Sequence, residues 1–263
     1  MSSSSESPSL GRLKGKVAIV TGGASPQGFG YAIARRFIDE GAKVIIGDLD
    51  GSGAESSASS LSSPHAKGVS MDVCKHEDWK RVVDMAVKEF GRLDIVINNA
   101  GCTYRNKPTE EVTEDEFERV MSVNVKSIFW SVKVVVPQMQ KQGDGGSIIN
   151  ISSSGSVRPR PGLVWYNASK GAVSNATMAL AAEYGPDQIR VNAIAPLLSA
   201  TGLFESFVGV KDTQENRDKF AASIPLGRLT DPVDVGNACV FLASDEGKFV
   251  TGTNFSVDGG RHI

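Results

Sequence analysis

The chain has 263 residues, with 40% hydrophobic and 22% charged side chains and a formal net charge of -2. That suits one large α/β domain or two small ones in an ordinary globular composition. The near-neutral charge, without a basic tract, argues against nucleic acid or an anionic membrane surface as the main partner. No run of about 18 apolar residues is present; the nearest, 123–136, is interrupted by Asn124, Lys126 and Lys133.

The first twelve residues are rich in serine and lack an apolar core, so they read as a disordered leader before a domain over 13–263. The three cysteines, Cys74, Cys102 and Cys239, are widely spaced and odd in number. They fit reduced thiols in a cytoplasmic protein better than a disulfide framework. The histidines, His65, His76 and His262, show no metal-ligand spacing, and no metal site is expected.

Short β-branched runs then alternate with amphipathic segments. Residues 16–20 (KVAIV) read as a buried strand and 30–40 as a helix stopped by Gly41. A second strand spans 43–48. Residues 51–64, rich in Ser, Ala and Gly, make a weak helix, followed by a short third strand at 68–71. A helix over 77–90 ends at Gly91, and 93–98 (LDIVIN) is the fourth strand. Thr113, with Glu116 as its capping-box partner, opens a long helix that Pro137 is expected to end. Strands at 147–151, 189–194 and 253–257 alternate with helices at 164–184 and 232–244. This alternation predicts a single α/β domain with a parallel sheet and helices on both faces.

Two constellations carry chemistry. The turn Thr21-Gly22-Gly23-Ala24-Ser25-Pro26-Gln27-Gly28-Phe29-Gly30 lies between the first strand and the first helix. Glycines there let backbone approach a pyrophosphate, and the helix start offers free N–H groups. Asp48 closes the next strand, where a carboxylate accepts hydrogen bonds from an adenosine ribose and repels a 2′-phosphate. Leu49 follows it and supplies no counter-charge, so NAD is favoured over NADP. The second is Ser153, Tyr166 and Lys170. Residues four apart share a helix face, which puts a fixed cation beside the Tyr166 phenol. A nearby cation is expected to lower the phenol's pKa and make it a proton carrier near neutrality.

With these motifs in view the chain resembles the short-chain dehydrogenase/reductase family from about Leu13 to Gly260. The likeness is carried by the glycine turn, Asp72-Val73, Asn98-Asn99-Ala100-Gly101, Val123-Asn124-Val125, the Ser153/Tyr166/Lys170 set, Val191-Asn192-Ala193 and Val257-Asp258-Gly259-Gly260. The resemblance implies a single-domain, Rossmann-like doubly wound α/β fold with a seven-stranded parallel sheet and helices on both faces. It also implies Tyr166 as general acid/base, Lys170 on the nicotinamide ribose, Ser153 on the substrate oxygen, and Asn124 holding a water in a proton relay. Asp72 and Val73 would contact adenine, and Asn99, Ala100 and Gly101 would line the cofactor groove. Thr201 would contact the carboxamide, with the main chain at Pro196 and Ser199 beside the ring.

Two departures from the family pattern stand out: the two extra residues around Pro26-Gln27, which must bulge, and Leu197 where the family has glycine. Residues 197–223 are expected to form a substrate lid. The apolar Leu197, Leu198, Leu203, Phe204, Phe207 and Val208 serve equally to hold a bulky apolar alcohol or ketone or to pack the lid on its own domain. Residues 157–165 and 102–107 are candidates for the other walls, and Arg105, Lys107, Arg158 and Arg160 for contact with an acidic substrate group. The expected activity is interconversion of a secondary alcohol and a ketone with NAD, by a homotetramer or homodimer. An NADPH-dependent ketoreductase and a catalytically silent dinucleotide-binding scaffold are the rival readings.

Overall fold

The computed structural model describes residues 10–199 and 204–263. Seven strands form one parallel sheet in the order β3-β2-β1-β4-β5-β6-β7. They are β1 (Val17–Thr21), β2 (Lys43–Asp48), β3 (Ala66–Ser70), β4 (Ile95–Asn98), β5 (Gly146–Ile151), β6 (Ile189–Pro196) and β7 (Asn254–Val257). The central strands, such as VAIVT and IVIN, are buried along their whole length. Continuous apolar runs of this kind are what a sheet covered on both faces requires.

Helices α1 (Phe29–Asp39), α2 (Gly51–Ser60), α3 (His76–Phe90), α4 (Glu114–Met121), α5 (Ser127–Gln142), α6 (Val164–Tyr184), α7 (Phe204–Val208), α8 (Gln214–Ala221) and α9 (Pro232–Ala243) complete the fold. One core gathers Ile33 and Phe37 of α1, Ala54 of α2 and Val235 and Val240 of α9 against one face of the sheet. A second gathers Trp79 and Val82 of α3, Val135 and Met139 of α5 and Ala181 of α6 against the other. The strand order reverses direction between β1 and β4, and in such sheets the crevice beyond the carboxyl ends at that point is where ligands bind.

Several local expectations shift. The weak helix forms: Asp50 accepts from the Gly53 N–H at 3.0 Å, and α2 lies so close on β3 that a Cβ at Gly68 would sit 2.3 Å from the Ala54 backbone. Pro137 does not end its helix. The proline withdraws one N–H, a cost of about 3 kcal/mol in a helix interior. Burial of Val135, Val136 and Met139 carries α5 through it to Gly143, whose φ of 75° forms the C-cap. The helical run Glu114–Gln142 is, by length and composition, long and apolar enough to cross a membrane; here one side of it, with Val135, Val136 and Met139 buried, packs against α3 and the sheet. Although composition places Arg12 in the leader, its guanidinium pairs with Glu40 and Glu246, and Leu13 beside it is fully buried.

Candidate active site

A cavity of about 580 Å³ opens along the carboxyl ends of the strands. At one end the β1–α1 turn crosses over β4. Thr21 Oγ1 accepts from the N–H groups of Asn99 (3.0 Å) and Ala100 (3.0 Å), and Asn99 Nδ2 donates to the carbonyls of Thr21 (2.7 Å) and Gly22 (2.9 Å). The Asn99 side chain is thus spent on closing the turn. Gly30 is required by packing, since a Cβ there would meet the Gly22 carbonyl oxygen at 2.2 Å.

The extra residues Pro26 and Gln27 lie exposed in a turn closed by Gly28 N–H to the Ser25 carbonyl (2.9 Å), and α1 still starts at Phe29. The helix start has no side-chain cap and no acid in its first turn. The insertion therefore bulges outward and leaves the helix N-terminus facing the cavity.

Asp48 is held at the end of β2 by two backbone donors, Ala24 N–H to Oδ2 (2.9 Å) and Asp50 N–H to Oδ1 (3.1 Å). Each oxygen keeps a lone pair for a further donor. Of the residues the sequence assigns to the cofactor, Gly22, Ser25, Gly28, Phe29, Asp48, Leu49, Asp72, Val73, Asn99, Ala100, Gly101, Pro196 and Ser199 line the cavity. Gln27 and Gly30 do not: Gln27 lines a neighbouring groove, and Gly30 is buried behind the turn. Thr201 and Leu203 lie outside the described residues.

An uncapped helix start, glycine backbone at the strand turn and a fixed carboxylate one strand over suit a dinucleotide with adjacent ribose hydroxyls. Such a group would supply the hydride acceptor or donor.

At the other end Ser153, Tyr166 and Lys170 converge on the same cavity. Ser153 follows β5 and accepts from the Gly155 N–H at 3.1 Å. Tyr166 and Lys170 lie on α6, and Lys170 Nζ sits 5.9 Å from the Tyr166 ring centre and donates to the Ile151 carbonyl at 2.8 Å. The phenol's shift runs opposite to expectation. Burial pushes Tyr166 up to about 12, against a smaller downward pull from the Ser153 hydroxyl, and burial pulls Lys170 down to about 8. Desolvation penalises the charged form of both groups and is the largest cause of each shift.

Asn124 stands one layer behind, inside a π-helical turn (Ser122–Lys126) between α4 and α5. Its Nδ2 donates to the Cys102 carbonyl (2.9 Å) and to Ser169 Oγ (3.0 Å), and its Oδ1 accepts from the Cys102 N–H (2.9 Å). A Cβ on Gly101 would lie 3.3 Å from Asn124 Oδ1 and 3.4 Å from Lys170 Nζ, so both groups flank that glycine. Sequence reading treats this stretch as plain helix. The π-turn, a feature often found at functional sites, has no residue signature here beyond Asn124 itself.

The described residues of the segment expected to form a lid, 197–199 and 204–223, with Ile224 just beyond, divide their apolar side chains between two jobs. Phe204, Phe220, Ile224 and Val208 form a small core of their own with Leu197 and Leu198. Phe207 instead packs edge-on to Tyr166, with ring centres 5.0 Å apart. Leu197, Leu198 and Phe207 line the cavity with Leu163 and Thr103.

Sequence reading includes Asn106 only within a candidate wall, without a role of its own, and misses Asn167. Asn106 Nδ2 donates to the carbonyls of Pro161 (3.0 Å) and Phe207 (3.4 Å), and its N–H to that of Ser206 (2.9 Å), joining its own loop to the loop before α6 and to α7. Asn167 Nδ2 donates to the Arg160 carbonyl at 2.9 Å. An asparagine in a loop or mid-helix carries no local sign of such long-range bonds.

A family model described as enoyl-(acyl carrier protein) reductase matches residues 22–262. The chain is 48% identical over 253 residues to 4-formylbenzenesulfonate dehydrogenase of Comamonas testosteroni, covering 95% of this chain and 99% of that protein. It is 38% identical to the NADP-dependent (R)-specific alcohol dehydrogenase of Lentilactobacillus kefiri, covering 95% and 97%. The crystal structure of a 3-ketoacyl-(acyl-carrier-protein) reductase from Brucella melitensis complexed with NADH superposes with a TM-score of 0.88 at 40% identity, covering 95% of this chain and all of that one. Fold, cavity and relatives define an NAD(P)-dependent oxidoreductase acting on CH–OH groups. The chain belongs to the short-chain dehydrogenase/reductase family.

Proposed function

We propose that the protein oxidises a secondary alcohol on a bulky, largely apolar frame to the ketone, with NAD preferred over NADP. The observation that carries this reading is the convergence of Ser153, Tyr166 and Lys170 on one cavity whose far end holds Asp48 between backbone donors. The carbinol C–H bond breaks with its electron pair passing to the bound nicotinamide. The hydroxyl proton passes to the Tyr166 oxygen, and a C=O bond forms. Ser153 Oγ holds the substrate oxygen during this change. The Lys170 ammonium stabilises the phenolate, and Asn124 fixes the loop and helix that place Lys170. The positive charge of an oxidised nicotinamide would add to that of Lys170 and oppose, in part, the burial that raises the phenol's pKa.

Preference for NAD is supported by Asp48 and by the absence of a basic side chain beside it among the cavity's described lining residues. A relative acting on a formyl compound gives an aldehyde hydrate as a second substrate form, because its gem-diol carbon presents the same H–C–O–H unit. The protein is read as a cytoplasmic homotetramer or homodimer. Its cysteines are free, and Phe129 on α5, Trp165 on α6 and Phe255 on the edge strand β7 expose apolar surface. Light scattering after size exclusion tests the assembly.

The central test follows reduced-nicotinamide absorbance across a panel of alcohols, ketones and aldehydes with both cofactors. Alcohol-dependent reduction of NAD is expected. Tighter binding of NADP would favour the ketoreductase reading, and binding of NAD without turnover of any panel member would favour a silent scaffold.

A further inference from the structure

Four basic side chains surround the substrate end, and the structure separates them. Lys107 pairs with Glu116 at 2.7 Å, Arg158 donates to the Arg261 carbonyl, and Arg105 is exposed outside the cavity lining. Arg160 alone of the four lines the cavity, half-buried, with no carboxylate partner among the described residues. Its guanidinium carbon lies 4.8 Å from the centre of the Phe220 ring, so an aromatic surface covers one side and leaves the N–H groups without an anionic acceptor. The carboxylates that line the same cavity, Asp48 and Asp72, stand at its opposite, nucleotide end, whereas Arg119 and Lys170 add positive charge near the substrate end. A partly desolvated cation with one face stacked and no carboxylate among the described residues on its donors is a receptor for an oxyanion that offers two oxygens side by side, which a guanidinium binds through two parallel hydrogen bonds.

The position of Arg160 is fixed relative to the reacting groups. Its carbonyl accepts from Asn167 Nδ2, one residue after Tyr166 on α6. The Oδ1 of the same asparagine sits 2.6 Å from where a Cβ on Gly155 would fall, so it also abuts the Ser153 turn. We infer that the substrate carries a carboxylate or sulfonate, bound by Arg160 at the lid side of the cavity while its carbinol faces Ser153 and Tyr166. This deepens the proposed alcohol oxidation and rests on it for the location of the reacting carbon. The cavity's apolar walls hold the body of the substrate, and Arg160 selects the charged member of an otherwise isosteric pair.

The test uses benzoate and its neutral counterpart benzamide as probes, titrated into the NADH-loaded enzyme and read by nicotinamide fluorescence. Benzoate is expected to bind about ten- to hundredfold tighter than benzamide, the range of a charge-assisted hydrogen bond. That preference should shrink as salt is raised, disappear in Arg160→Met and survive in part in Arg160→Lys. Equal binding of the two probes to the unmodified enzyme overturns the inference, and so does a benzoate preference that persists in Arg160→Met, which would leave Arg160 only a brace for Phe220.

Turnover of 1-(4-carboxyphenyl)ethanol against 1-phenylethanol supplies the second readout. Arg160→Met should collapse the ratio of their KM values. Turnover of both alcohols without a charge preference refutes the inference and leaves the oxidation standing. A benzoate preference without turnover of either alcohol supports the anion site and refutes the oxidation.

Discussion

At the Asp48 end of the cavity the binding groups are backbone or are fixed by backbone. The Ala24 and Asp50 N–H groups hold the carboxylate, and Thr21 and Asn99 lock the glycine turn to β4. At the Phe207 end, side chains from separate segments meet: Leu163 before α6, Phe207 on α7, Arg160 after β5, with Asn106 joining their loops. The first end can be specified by short local motifs because neighbouring strands of one parallel sheet supply everything. The second depends on contacts between loops far apart in sequence, which can change without disturbing the sheet. A cofactor shared by many relatives and a substrate peculiar to one fit that division.

The largest effect should come from the junction of the two ends. Tyr166→Phe removes the proton carrier and keeps the ring against Phe207, so kcat should fall by about 10²–10⁴-fold, the usual worth of general acid–base catalysis. NAD affinity, measured by fluorescence titration, should change little. Turnover near the unmodified level would remove Tyr166 from its assigned role. At the Asp48 end, Asp48→Ala leaves the backbone donors free and should weaken NAD by about 10–100-fold, from loss of charge-assisted hydrogen bonds. It should narrow the gap to NADP without altering kcat at saturating cofactor. Unchanged NAD affinity would move nucleotide recognition away from that carboxylate.

The pH dependence follows from the direction of the Tyr166 shift. Burial raises its pKa towards 12, so the proton-accepting phenolate is the scarce form at neutral pH. Alcohol oxidation needs that form, and kcat/KM for oxidation should rise about tenfold per pH unit below the apparent pKa. Ketone reduction, which starts from the protonated phenol, should not show this rise. A flat oxidation profile between pH 6 and 9 would mean that the bound cofactor lowers the phenol's pKa far more than burial raises it.

Most of the fold was legible because parallel strands need continuous apolar runs and their crossovers need glycine stops, as at Gly41 and Gly91. Ser153, Tyr166 and Lys170 were legible because one strand, one loop and one helix carry all three. Besides the long-range bonds of Asn106 and Asn167, four features were not. Pro137 reads as a helix end, but burial of Val135, Val136 and Met139 outweighs the lost hydrogen bond. The π-turn that aims Asn124 has no local propensity signal. The phenol's direction was misjudged because spacing reports a neighbouring charge and says nothing of desolvation. Gln27 matches a motif position, yet the two-residue insertion carries it out of the cavity into the next groove. In each case a tertiary quantity, buried area or loop path, decides against a local rule.

Asn106 offers the smallest and most discriminating perturbation. Its side chain gives one hydrogen bond to the Pro161 carbonyl and a longer one to that of Phe207, while its backbone N–H to Ser206 survives truncation. Asn106→Ala should therefore loosen the lid by about 1 kcal/mol, equivalent to a roughly fivefold rise in substrate KM. Faster hydrogen exchange over 204–209 should accompany it, since local opening of a segment scales with the contacts that hold it. NAD affinity should stay within about twofold, because no bond of Asn106 reaches the glycine turn or Asp48. If NAD affinity fell as far as KM rose, the two ends would be coupled through the lid, and the division between a backbone-built nucleotide end and a side-chain-built substrate end would fail at its weakest joint.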